Sequence, residues 1–217
     1  MPRSAKFQSN TAVARSLAAF GREFHSRRWA LGTSGNYSAV LRRQSLRLLI
    51  TSSGLDKSAL SPKDFLEIDQ HANVLKGKGK PSAETFLHLA VVRARNAACV
   101  LHTHSVWSTL LSERYAAKGG LAISGYEMLK GLEGVKTHQH REWIPTFAND
   151  QDIPVLAERV EAELGRDPDP HGFLLSGHGL YTWGEDLVQA RRHVEIFEFL
   201  FEVVGRREFG SPTILSD

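Results

Sequence analysis

Cysteine is almost missing from this chain: Cys99 is the single example in 217 residues. One thiol cannot form an internal disulfide, and it rules out a cysteine-rich zinc module. Because Cys99 sits in an apolar run, it reads as an inert buried thiol. Long apolar runs are also lacking. No segment approaches the ~18 consecutive apolar residues of a membrane-spanning helix. The opening MPRSAKFQSNTAV has no hydrophobic stretch of the kind a secretory signal needs. The expectation is a cytoplasmic protein with no membrane partner.

Charge of one sign is scarce as well. Lys and Arg number 27 against 24 Asp and Glu, a formal net charge of +3. The basic excess is scattered in pairs such as Arg27-Arg28 and Arg191-Arg192, not gathered on one element with interleaved aromatics. That pattern argues against a nucleic-acid partner and suits a small anionic ligand. There is no internal repeat and no low-complexity linker, so residues 1–217 read as one domain, long enough to bury a proper core.

What is present is a mixture of helical and strand patterns. Val13, Leu17, Phe20 and Phe24 recur at helical spacing and predict an opening amphipathic helix. A Gly-, Ser- and Asn-rich stretch, LGTSGNYSAV, follows it. SLRLLITSSG then reads as a strand running into a polar turn, and the loop GKGKPSAE feeds a helix over 82–96 with Pro81 just ahead. AACVLHTH reads as a strand with the helix SVWSTLLSERY after it. GYEMLKGL reads as a short helix, REWIPTFAN as a strand, and DQDIPVLAERVEAEL as a helix. GFLLSGHGLYTWG reads as a strand pair around a Gly-His-Gly turn, and a long helix closes the chain. Strands and helices mix without strict alternation. The fold class this implies is α/β, a three-layer α-β-α arrangement with a central mixed, mostly antiparallel sheet flanked by helices.

The chemistry gathers at a few polar residues next to apolar runs. Side chains at i and i+2 of a strand share a face, so His102 and His104 project together and could hold one metal ion. Two unrelated polar residues at a strand end are the plainer alternative. His178, between Gly177 and Gly179 directly after an apolar strand, is a third candidate, because the glycines permit close backbone approach. His138 and His140 have the same spacing but follow a polar, Gly-rich stretch and read as loop residues. His193 reads as a surface or interface residue on the last helix. GTSGNYS, TSSG (with Ser52, Ser53 and Gly54) and KGKPSAE are candidate anion cradles, built from turns whose N–H groups can hold a phosphate. Lys57 could add charge to the second of them. None of the three matches a nucleotide-binding fingerprint. Glu84 falls in the first turn of the helix after PSAE. Glu127, among Tyr126, Met128 and Leu129, is expected to have a raised pKa suited to proton transfer.

In order and over nearly the whole chain, GTSGNYS, TSSG, PSAE, HTH and GHGLYTWG resemble the zinc-dependent class II aldolase family. The resemblance implies Zn²⁺ on His102, His104 and His178, and a substrate phosphate held by Asn36, the TSSG turn and Ser82. Ala83 stands where aldolases carry a second serine, so one hydroxyl contact is missing. Within the family, SGLDKSALSPKDFLEID, HTHSVWSTLLS, GYEMLKGL and HGLYTWGED are most similar to a branch that dehydrates a phosphorylated ketose. For that branch the resemblance assigns the acid/base to Glu127, whereas the aldolase pattern assigns it to Glu84. It also implies a homo-oligomer, typically a tetramer.

Overall fold

The computed structural model describes residues 9–166 and 170–210, so the signal-peptide reading of the first eight residues falls outside what it describes. Helix α1 (Asn10–Ser26) is capped by Ser9, whose hydroxyl accepts from the Ala12 N–H. Four strands follow: β1 (Asn36–Arg42), β2 (Arg47–Thr51), β3 (Phe65–Ile68) and β4 (Val74–Lys76). After them come α2 (Thr85–Arg95), β5 (Cys99–Thr103), α3 (Val106–Tyr115), β6 (Gly120–Ile123) and β7 (Glu142–Phe147). The chain closes with α4 (Ile153–Leu164), β8 (Gly172–Leu175), β9 (Gly179–Gly184) and α5 (Leu187–Phe209).

The strands join one sheet in the order β4-β3-β2-β1-β5-β9-β8-β7-β6. Every pairing is antiparallel except β7 with β8. Alternation along the strands sorts their side chains onto two faces. Leu48, Ile50, Phe173 and Tyr181 pack under α2 and α4, with Leu87, Val91, Leu156 and Val160 opposite them. Leu49 and Leu101 face α1 and the start of α5, meeting Leu17, Phe24 and Val194. Leu174 and Leu180 face α3 and the rest of α5, meeting Leu111, Phe197 and Phe201. The result is the three-layer α-β-α arrangement that the sequence implies. Strand β5 lies at its middle with all five residues buried, which is why it reads as a continuous apolar run.

Several local expectations change. Strand β1 begins at Asn36, inside the Gly-, Ser- and Asn-rich stretch to which the sequence assigns no element. Its polar side chains Asn36 and Ser38 are buried and hydrogen-bonded while Tyr37 and Ala39 fill the opposite face, so both faces are buried and one of them is polar. Helix α2 starts at Thr85, not at 82, which places Glu84 at the N-cap instead of in the first turn. GYEMLKGL contributes one 3₁₀ turn, Glu127–Gly131. His193 is buried, not superficial: its Nδ1 faces the Trp183 carbonyl and its Nε2 accepts from the Glu133 N–H. Among the described residues, no helix is long and apolar enough to cross a membrane.

Candidate active site

The end of β5 carries two of the three histidines. His102 lies flat against Tyr181 at 3.9 Å and has no exposed surface. Its Nδ1 donates to the Leu180 carbonyl at 2.8 Å, which leaves Nε2 bare. The His104 N–H donates to Trp29 O, and its ring centroid stands 4.4 Å from that of His102. His178 arrives from the β8–β9 turn. There Gly177 takes a positive φ of 65°, and a Cβ on Gly179 would collide with the Thr103 carbonyl. Glycine is therefore required on both sides for the turn to close on the end of β5.

The three imidazoles offer nitrogens within 4.8 Å of one another. Burial lowers His102 to about 3 and His104 to about 2, and neighbouring histidines push His104 the same way. Both rings are thus neutral and carry lone pairs. The Nε2 atoms of His102 and His178 stand 3.3 Å apart, while the His178 Nδ1 faces Asn149 Oδ1 at 3.3 Å. Converging bare nitrogens repel unless a proton or a cation lies between them. Imidazole nitrogens converging in this way, with the outer nitrogens of His102 and His178 engaged by oxygen, suit a divalent, imidazole-favouring metal.

Glu84 completes the cluster, at 3.0 Å from His178 Nε2 and 3.5 Å from His102 Nε2. Burial would raise its carboxyl, but His102, then His178 and Asn36, outweigh that and hold it well below the usual carboxylate range. Asn36 donates to it at 2.5 Å and to the Ser82 hydroxyl at 3.1 Å.

Beside the histidines opens a cleft of about 330 Å³, lined on one side by residues 33–36, 52–54 and 82–84. All three predicted anion segments therefore meet in one place. Strand β2 ends in the Ser52–Ser53 turn, which is pinned to the following loop: the Ser53 N–H and the Ser52 hydroxyl both donate to Lys80 O. The Ser53 hydroxyl and the Gly54 N–H keep no partner among the described residues, and both residues line the cleft. Lys57 also lines it and is buried. Its ammonium donates to Thr33 O at 2.9 Å and to Leu55 O at 2.8 Å, and burial lowers it to about 8. A cleft with an ammonium, free hydroxyl and N–H donors and a metal-suited histidine cluster can hold a phosphate and a polarisable oxygen at once.

Glu127 is elsewhere. Strand β6 leads to it from Ile123, which pairs with Glu142, and Glu142 accepts from the His171 N–H just before β8 begins. His178 follows the opposite end of β8, past Leu175. Within one chain the two groups therefore stand at opposite ends of the sheet, separated by at least ~10 Å of strand. The expected raised pKa of Glu127 is also overturned. Its side chain is 70% exposed, and a hydrogen bond and ion pair with Lys130 at 2.7 Å lower its carboxyl. His138 and His140 stay outside the histidine cluster. The first stands 3.4 Å from Glu127 and the second 2.8 Å from Glu142.

One participant escapes sequence reading. His88 is fully buried on α2, one turn after Glu84, and touches both Asn36 and Ser38. The sequence signal that could have found it is its i, i+4 spacing from Glu84, which places both on one side of α2.

The sequence model of the Class II Aldolase and Adducin N-terminal domain matches residues 15–204. The chain belongs to the class II aldolase family. Among its family relatives, the methylthioribulose-1-phosphate dehydratase of Marinobacter nauticus is 42% identical over 88% of this chain and 91% of its own length. That of Methylococcus capsulatus is 44% identical over 86% and 89%. The L-fuculose-1-phosphate aldolase structure from Thermus thermophilus shares the fold, with a TM-score of 0.72 at 22% identity over 92% of this chain and 97% of that one.

Proposed function

We propose that this class II aldolase-family chain is a methylthioribulose-1-phosphate dehydratase, converting 5-methylthioribulose 1-phosphate to 2,3-diketo-5-methylthiopentyl 1-phosphate in methionine salvage. The observation that carries the reading is the meeting of an anion cradle and a metal-suited histidine cluster in one cleft. Relatives bearing that name, 41–47% identical over most of the chain, support the choice of reaction. His102, His104 and His178 would hold Zn²⁺, which when bound supplies Lewis-acid polarisation of a carbonyl.

The residues of the chain do the rest. Lys57, Asn36, Ser82 and the 52–54 turn hold the phosphate on C1 and so orient C2 toward the histidines. A carboxylate takes the C3 proton, and the electron pair left behind expels the C4 hydroxyl as water once an acid has protonated it. The resulting C3 enol tautomerises to the 2,3-diketone, so that one water is lost overall. Glu127 is the acid/base of this reading. Being remote within its own chain, it enters the cleft from a second copy, which makes the working enzyme a cytoplasmic homo-oligomer, a tetramer by family resemblance. The position of Glu84 beside His178 favours a second reading, a sugar-phosphate aldolase or epimerase with Glu84 as base.

Incubation with zinc and 5-methylthioribulose 1-phosphate tests both. The expected product is the diketone. A three-carbon ketose phosphate plus an aldehyde would make the chain a carbon–carbon lyase instead. Glu127→Gln should lower kcat by roughly 10²–10⁴-fold with zinc retained, the usual scale of general acid–base catalysis. Glu84→Gln should cost less turnover and change metal affinity. The reverse order would move the proton chemistry to Glu84.

A further inference from the structure

We propose that His88 is a positioning residue: its Nε2–H tautomer fixes which way round the Asn36 amide sits, and so holds the Glu84 carboxylate beside the metal-binding histidines. The inference rests on the site as described under the proposed function, but not on the identity of the substrate.

Donors and acceptors here can alternate in one direction only. The Asn36 NH₂ faces both the Glu84 Oε2, at 2.5 Å, and the Ser82 hydroxyl, at 3.1 Å; the amide oxygen turned to that side would set acceptor against acceptor at Glu84. The Asn36 Oδ1 is then turned to His88 Nε2, and an oxygen there requires a proton on that nitrogen. His88 is fully buried, and burial lowers it to about 4, so the ring is neutral and carries one proton only. With Nε2 protonated, Nδ1 is bare and accepts from the Ser38 hydroxyl at 2.7 Å. Ser38 donates to His88, His88 to Asn36, and Asn36 to Glu84. Each link is forced by the next.

The fold makes the chain possible. Asn36 and Ser38 are i and i+2 on β1 and face the same helix. Glu84 and His88 are i and i+4, adjacent on one side of α2. Tyr181, which stacks on His102, closes the pocket edge-on to His88 at 5.8 Å between centroids. Asn36 also donates to Ser82, so a reversed amide would disturb the phosphate side and the metal side together.

Nitrogen–proton correlation spectra of the isotope-labelled, zinc-free protein should show His88 protonated at Nε2 alone. Protonation at Nδ1 overturns the proposal without reference to any variant. Zinc affinity, measured by competition with a chelator, supplies the second arm. His88→Leu should weaken zinc by about 10-fold, the low end of the cost of losing an outer partner of a metal site, because it acts through Asn36 and Glu84. His88→Gln, which keeps a donor for Asn36 Oδ1, should recover most of the loss. Because His88 acts through Asn36, His88→Leu placed on Asn36→Ala should add little to the loss caused by Asn36→Ala alone. Additive losses, or equal losses for Leu and Gln, would make His88 a packing residue only. A failed dehydratase assay would leave the tautomer and the zinc series standing, so the two readings fail separately.

Discussion

Burying the Lys57 ammonium against two carbonyl oxygens leaves it easier to deprotonate than a surface lysine, with a pKa of about 8. Below that pH the cleft it lines carries its charge, which would attract a phosphate, and above it the charge is lost. For a phosphorylated ketose, kcat/KM should therefore fall as pH rises through about 8, since that ratio reports groups of the free enzyme. Lys57→Gln should flatten this limb and raise KM, and a wild-type profile with no limb there would remove Lys57 from the anion site. The stability sign is opposite: between about pH 8 and the ordinary lysine value of 10.5 the unfolded chain binds the extra proton, so the fold gains stability as pH rises. The sequence shows these residues unequally. His102, His104 and His178 stand out because strand spacing and flanking glycines have geometric consequences. The burial of Lys57 and the part played by His88 depend on which elements pack together, and no local pattern encodes that. The surroundings of Glu127 differ from expectation because apolar neighbours in sequence do not bury a side chain on an exposed turn.

Helix α5 is the longest element, and it carries a carboxylate into the core. Glu198 accepts from the Thr103 hydroxyl at 2.7 Å, between His102 and His104, and burial raises its pKa to about 7 against the lowering effect of Ser105 and Thr103. Between pH 4.5 and 7 the folded state holds a proton that the unfolded state has released, so this group's contribution to stability is lost as pH rises through that window. Glu198→Gln keeps the shape without the charge. Its melting temperature should match wild type near pH 4.5 and exceed it above pH 7, by an amount equivalent to at most ~3 kcal/mol. Parallel melting curves at the two pH values would refute the raised pKa. The long helices are legible because their periodicity runs over many residues and their caps, such as Asp186 on α5, are local. Strand β1 is not, since one of its two buried faces carries the polar Asn36 and Ser38, and the short strands β4 and β6 offer too few residues for a pattern.

At the scale of the molecule, the sheet sets two candidate groups apart: the histidine cluster past the end of β5 and β8, and Glu127 beyond the far end of β6. If Glu127 works on a neighbour's cleft, then no chain owns a complete reaction centre, and two defects can cancel. Chains bearing His178→Ala and chains bearing Glu127→Gln should each be inactive as pure oligomers. Mixed by co-expression, they should regain activity wherever an intact cluster from one kind meets an intact glutamate from the other. At equal proportions and random assembly that is about a quarter of the centres. Mixtures no more active than their parents would confine the reaction to one subunit. The separation also has a genetic reading: if Glu127 works across subunits, a lesion at one end of the sheet would complement a lesion at the other, so two null alleles could restore growth where neither does alone.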